Sequence, residues 1–186
     1  MMSEAKEKEL SETTKACSWR CLPLDRIRDL VKIADSIHPG LSERADVFAE
    51  RVKLFPDGCL GLFDPETDEL YGYAISHPIN HRQPPALDSF LNDIDASADQ
   101  YYIHDLAILP RARGSGSAQK CLELILTIAE RYETTSLVSV YGTAPFWSKY
   151  GFEGCEIDDK LRAKLVDYGD DAMYLERRNK QHRNHN

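Results

Sequence analysis

Residues 101–132, YYIHDLAILPRARGSGSAQKCLELILTIAERY, read as a strand, a glycine-rich turn and a helix. Residues 101–109 are rich in aromatic and branched apolar side chains, a composition that suits a buried strand. Pro110 stops it, because proline brings no backbone donor to a sheet ladder. After Gly114-Ser115-Gly116-Ser117, the residues Ala118, Leu122, Ile125, Ala129 and Tyr132 recur at three- and four-residue spacing, an apolar stripe of helical period. A small turn that opens a helix leaves unpaired N–H groups converging at the positive end of the dipole. Such a turn suits a phosphate.

Two common phosphate motifs fail on spacing. A P-loop ends in Gly-Lys-Ser/Thr, and no lysine stands at that place. A dinucleotide fingerprint needs glycine at 119, where Gln119 stands, and it opens the first βαβ unit, whereas this turn lies past mid-chain.

Upstream, residues 19–24 form a short strand candidate. Asp25 can cap a helix with Ile27, Leu30, Val31 and Ala34 on one face, ended by Pro39-Gly40. Ser42 opens a second helix, with Glu43 and Asp46 near its positive end and Ala45, Phe48, Ala49 and Val52 inward. Strands at 59–63 and 70–76 flank a polar connection. Residues 77–100 form a long irregular segment carrying His77, His81, Arg82 and Pro84-Pro85, of the kind that is functional or mobile. Downstream, strand 136–141, a short helix 144–150 and two strands near 152–157 and 172–176 complete the order β-α-α-β-β-β-α-β-α-β-β. That order predicts a mixed α/β domain, a sheet with helices on both faces.

The 186 residues fit one domain at 17–176, between expected disordered ends at 1–16 and at 177–186, the latter basic and free of apolar residues. The formal net charge of −8 argues against nucleic-acid binding and mildly favours cationic partners. No apolar run reaches spanning length and no signal segment is visible, so no membrane role is expected and the default location is cytoplasmic. The five cysteines form no CxxC pair and lack histidines at ligand spacing, so free thiols and no metal are expected.

Residues 113–118, Arg-Gly-Ser-Gly-Ser-Ala, resemble the Arg/Gln-x-x-Gly-x-Gly/Ala pyrophosphate loop of the GNAT superfamily of acyl-CoA-dependent N-acetyltransferases. Residues 144–152, APFWSKYGF, are similar to that family's A-x-F-Y-x-x-x-G-F segment. The two motifs stand in the family's order, and the resemblance covers roughly residues 17–176. It implies a central, mostly antiparallel twisted sheet with acetyl-CoA as cosubstrate. Pantetheine would pair with the backbone of Leu106, Ala107 and Ile108, and its pyrophosphate with the amides of Arg113, Gly114, Ser115, Gly116, Ser117 and Ala118. Phe146 and Trp147 would lie against the cosubstrate. Arg111 is either a ligand of the 3′-phosphate or a solvated surface arginine.

The implied reaction is attack of an amine on a thioester, which calls for a base toward the amine and an acid toward the thiolate. A backbone N–H of the central strand would hold the oxyanion. Residues 102–107, YIHDLA, resemble the His-x-His-x-Leu-Ala stretch of the arylalkylamine branch, with Tyr102 at the first histidine and His104 at the second. His104 is therefore the expected base, against the reading of a satisfied strand histidine, and Asp105 is expected on the opposite face of the pleat. The family's acidic tyrosine falls at Trp147. Tyr150 or Tyr141 could take its place, or no acid operates, or activity is lost.

The acceptor reading rests on residues 88–105, which hold five aspartates, Asp88 among them, and no Lys or Arg. With Phe90, Tyr101, Tyr102 and His77 they would attract a cationic arylalkylamine or polyamine. A solvated acidic loop is the bland alternative. A peptide acceptor and a non-catalytic acyl-CoA-binding module are the two competing functions.

Overall fold

The structure is a computed structural model that describes residues 16–180; residues 1–15 and 181–186, with most of the two expected disordered ends, lie outside the described residues. Seven strands form one sheet: β1 (Ser18–Cys21), β2 (Cys59–Phe63), β3 (Leu70–Ile79), β4 (Gln100–Ile108), β5 (Thr134–Ser139), β6 (Glu153–Gly154) and β7 (Met173–Arg178). Their order is β1-β2-β3-β4-β5-β7-β6, and every neighbouring pair is antiparallel except β4–β5. The α/β expectation of a mixed, mostly antiparallel sheet therefore stands.

Helices cover both faces. On one side α1 (Ile27–Ile37) and α2 (Ala45–Leu54) bury Leu30, Ile33, Phe48 and Val52 against Phe63, Tyr73, Ile75 and Ala107. On the other, α3 (Ser117–Ala129) buries Cys121, Leu122, Ile125 and Ala129 against Ala74, Tyr101, Ile103 and Leu137. The short α4 (Ala144–Ser148) adds Trp147 to that second core. Each buried apolar side chain here is worth about 1.5–3 kcal/mol relative to exposure, so the two layers hold the sheet that carries the site.

Two departures inside the sheet shape that site. The β4–β5 ladder runs only from Gln100↔Thr134 to Ile103↔Leu137, after which the strands part. A β-bulge interrupts β3–β4: Ile75 opposes Asp105 while Ser76 opposes Ile103, so His104 is the extra residue.

Several expectations need correction. Strand β3 continues through His77 and Pro78 to Ile79. Its β2 partner ends at Ile75, which leaves Pro78 on an unpaired edge where its missing N–H costs no ladder bond. The second helix starts at Ala45, with Glu43 ahead of it, and a 310 turn at Leu24–Arg26 replaces the Asp25 cap. An unexpected α5 (Asp159–Leu165) is capped by Asp158, whose carboxylate accepts from the Leu161 N–H at 2.7 Å.

The disordered tail does not begin at Arg177. That side chain is buried in β7 and donates to Asn179 Oδ1 at 2.9 Å. Asn179 in turn donates to the carbonyls of Ala129 and Tyr132, satisfying the end of α3. A polar composition read as unable to order itself is tied down by helix-terminal carbonyls.

Candidate functional site

The turn after β4 has the backbone that its glycines permit. Gly114 and Gly116 sit at φ +85° and +75°, left-handed values that side chains rarely adopt, and Gly116 is the residue before α3. A Cβ on either would meet no protein atom within 4 Å, so the space over the turn is open to a ligand. Trp19 Nε1 donates to the Ser117 carbonyl at 2.8 Å, and the Ser115 and Ser117 hydroxyls lie 2.8 Å apart, pinning the first turn of α3. The convergent N–H groups at the positive end of this helix fit a pyrophosphate. Arg113 adds charge beside them; its Nε donates to the Ile108 carbonyl at 2.8 Å.

Beside the turn, a cavity of about 480 Å³ runs through the gap between the parted strands. Leu106, Ala107 and Ile108 of β4 face Val138 and Val140 across it, and Phe146 and Trp147 close one side. The cavity continues past the β4 bulge to His38, Glu43, His104, Asp105, Tyr141 and Tyr168.

Two histidine–carboxylate pairs stand at that far end. His104 Nε2 lies 2.7 Å from Glu43 Oε1, with side chains 2% and 6% exposed. Burial works against ionising Glu43, but the His104 contact, the Arg51 charge and the Asp88 N–H outweigh it and bring its pKa down to about 2. Ionised Glu43 is an acceptor only, so it takes the Nε2–H of His104 and leaves Nδ1 without a protein partner. The second pair joins His38 Nε2 to Asp105 Oδ1 at 2.9 Å, and the Tyr73 hydroxyl donates to the other Asp105 oxygen. His38 follows α1 and stacks flat on Tyr141, ring centroids 5.8 Å apart.

The bulge explains why both pairs occur together. Strict alternation would put His104 and Asp105 on opposite faces, as expected above. With His104 as the inserted residue, both side chains reach the α1–α2 layer.

The Glu43 shift has a consequence for stability. A carboxylate depressed from 4.5 to about 2 contributes fully above its unfolded pKa and loses that contribution as pH falls through the folded one. Glu43→Gln is expected to flatten the loss of unfolding free energy over pH 4.5 to 2, by an amount on the order of a few kcal/mol. Denaturant titrations of both proteins at several pH values test this; parallel curves would show that Glu43 is not held ionised by the fold.

Of the residues expected at the site, His104, Leu106, Ala107, Ile108, Arg113, Ala118, Tyr141, Phe146 and Trp147 line this one cavity. The others stand elsewhere. Tyr150 packs on Phe146, ring centroids 5.4 Å apart, outside the cavity lining. Arg111 pairs with Glu69 and covers the Tyr71 ring, lining a neighbouring groove. Tyr102 and His77 are wholly buried behind His104; burial raises the Tyr102 phenol well above its usual value and lowers His77 to about 3.

The acidic funnel is also corrected. Asp88 is taken up by Arg44, Asp95 by Asn80 and Ser97, and Asp99 by the His81 N–H, while Phe90 lies against the Arg44 guanidinium. These local bonds stabilise the loop and remove it as a cation trap. From residues 77–105, Leu87 of the loop and Ile103, His104 and Asp105 of β4 line the cavity, and Asp105 is the one aspartate among them.

A parted β4–β5 pair with a glycine turn at its mouth is the arrangement that the resemblance to the GNAT superfamily implies. The sequence model of the acetyltransferase (GNAT) family matches residues 24–152, and the chain belongs to that family. It is an N-acetyltransferase whose acyl donor is acetyl-CoA. Solved structures of the same fold include Ard1 from Thermoplasma volcanium, at 15% identity and TM-score 0.65 over 88% of this chain and 97% of that one. The loading GNATL domain of CurA from Lyngbya majuscula is 14% identical, TM-score 0.69, over 87% and 97%. Arabidopsis thaliana Naa50, in complex with the bisubstrate analogue CoA-Ac-MVNAL, is 14% identical, TM-score 0.64, over 87% and 98%. No curated protein matches the sequence. Among the described residues no helix is long and apolar enough to cross a membrane, and no group of three or more His, Cys, Asp or Glu is arranged to hold a metal ion.

Proposed function

We propose that the protein acetylates a small cationic primary amine, of the arylalkylamine or polyamine kind, by direct attack in a ternary complex with acetyl-CoA. The observation that carries this reading is the buried His104–Glu43 pair in the cavity that also holds the Leu106–Ala107–Ile108 edge. Ionised Glu43 gives that end of the cavity a negative charge that favours an ammonium. His104, with Nε2 committed to Glu43, receives the amine proton on Nδ1 directly or through one water. A backbone N–H of β4, beyond the last rung it shares with β5, stabilises the oxyanion. The turn at 113–118 and the β4 edge hold the donor in line, a contribution of up to about 7–11 kcal/mol to the barrier.

Small size is favoured by the loop at 80–99, which is fastened over α2. The Leu91 and Asn92 N–H groups donate to Glu50 at 2.7 and 2.9 Å, Arg51 donates to the Ser89 carbonyl at 3.1 Å, and the Asp88 N–H donates to Glu43 at 3.1 Å. Leu87 carries this fastened loop to the cavity, and a rim so held favours a small acceptor over a peptide. The five cysteines are all unpaired, which favours a reducing cytoplasmic setting.

Release of free CoA from acetyl-CoA, measured against arylalkylamines, polyamines, aminosugars and short peptides, tests the reading. Turnover with a small amine supports it. Turnover with peptides alone overturns the acceptor class, and CoA binding with silence across the panel overturns catalysis.

A further inference from the structure

We infer that His38 protonates the departing CoA sulfur, filling the role of the phenol that Trp147 cannot supply; this rests on the acetyl-transfer reading above. His38 lines the same cavity as the β4 edge, and its carboxylate partner Asp105 immediately precedes Leu106 on that edge. Tyr141, on which the imidazole stacks, comes just after β5 on the other side of the gap. The imidazole thus bridges the two strands that part to admit pantetheine, whereas His104 is committed to Glu43.

The surroundings favour the charged form. Burial opposes it, but the Asp105 hydrogen bond and the charges of Asp105 and Glu43 outweigh burial and raise the His38 pKa. The other titratable groups against the pair are Tyr73, which donates to Asp105, and Tyr141. Nε2–H is used on Asp105, and Nδ1 is buried without a protein partner, so Nδ1–H is the one ring proton not already bonded. Tyr141 is a poorer donor: its hydroxyl is directed to the Pro39 carbonyl at 3.3 Å, and burial together with Asp105 and Asp171 raises its pKa.

The step balances. The amine lone pair forms the C–N bond, the C–S bond breaks with its electrons on sulfur, and the His38 Nδ1 proton passes to sulfur to give the CoA thiol. The proton lost by the amine goes to His104. His38, 16% exposed, regains its proton from solvent.

An imidazolium beside a thiol lowers the thiol pKa. In the complex with CoA, followed by thiolate absorbance against a desulfo-CoA blank, the bound thiol is expected to titrate at least one unit below free CoA, about tenfold more thiolate at a given pH. His38→Gln, which keeps a donor toward Asp105, should return it to the free value, and His104→Gln should leave it low. Identical thiol titrations in wild type and His38→Gln would overturn the inference. A second arm needs no variant: the His38 ring titration, followed by NMR, should move up in pH with CoA and not with desulfo-CoA. Equal titrations in the two complexes would also overturn it. Neither arm uses an acceptor, so failure of the amine panel would leave this test standing.

Discussion

Gly116→Val is expected to weaken acetyl-CoA binding at least about 100-fold, which corresponds to about 2.7 kcal/mol. The left-handed backbone at +75° accounts for about 1–2 kcal/mol of lost stability in any L-residue. That strain falls on folding rather than directly on affinity. The larger effect comes from the isopropyl group standing in open space over the turn, where a pyrophosphate must approach the N–H groups. Calorimetric titration with acetyl-CoA separates the two, provided the variant's unfolding curve shows it folded. A folded Gly116→Val with unchanged affinity would remove the turn from the binding site.

His104→Gln is expected to lower kcat by about 10²–10⁴, the range that a positioned general base supplies, with little change in acetyl-CoA affinity. The loss should be greatest at low pH, where unprotonated amine is scarcest, and should narrow as pH rises. Glutamine is the better probe than alanine. Truncation would leave Glu43 as an unpaired buried carboxylate, destabilising the fold by about 3–5 kcal/mol and confusing the readout. A loss of the same size at every pH would mean that His104 positions the substrate and does not move the proton.

The strand, glycine turn and helix that line one end of the cavity were legible because they are local. Strand, glycine turn and helix lie within residues 101–132, and their spacing alone points to a phosphate; the segment at 144–152 adds the wall of the cavity. The histidine–carboxylate end of the cavity was not legible, for two physical reasons. Its partners come from distant segments: Glu43 and His38 meet β4 residues more than sixty positions away, and nothing local marks them. Tyr168, in the 310 turn after α5, was missed with the helix that positions it. The second reason is the bulge. Pleat alternation, applied without it, separates His104 from Asp105 and hides the second pair. The acidic loop misled in the opposite direction, since a run of aspartates looks available until its own backbone and Arg44 are seen to use it.

The division of each acid–base pair between β4 and the segment around α1 and α2 separates two properties of the protein. The residues expected to hold the pantetheine and pyrophosphate lie on one contiguous piece of chain, from β4 through α4. Each histidine–carboxylate pair, by contrast, exists only while residues 38–43 are docked on the sheet. Loosening of that first layer would leave a molecule able to hold acetyl-CoA yet unable to spend it.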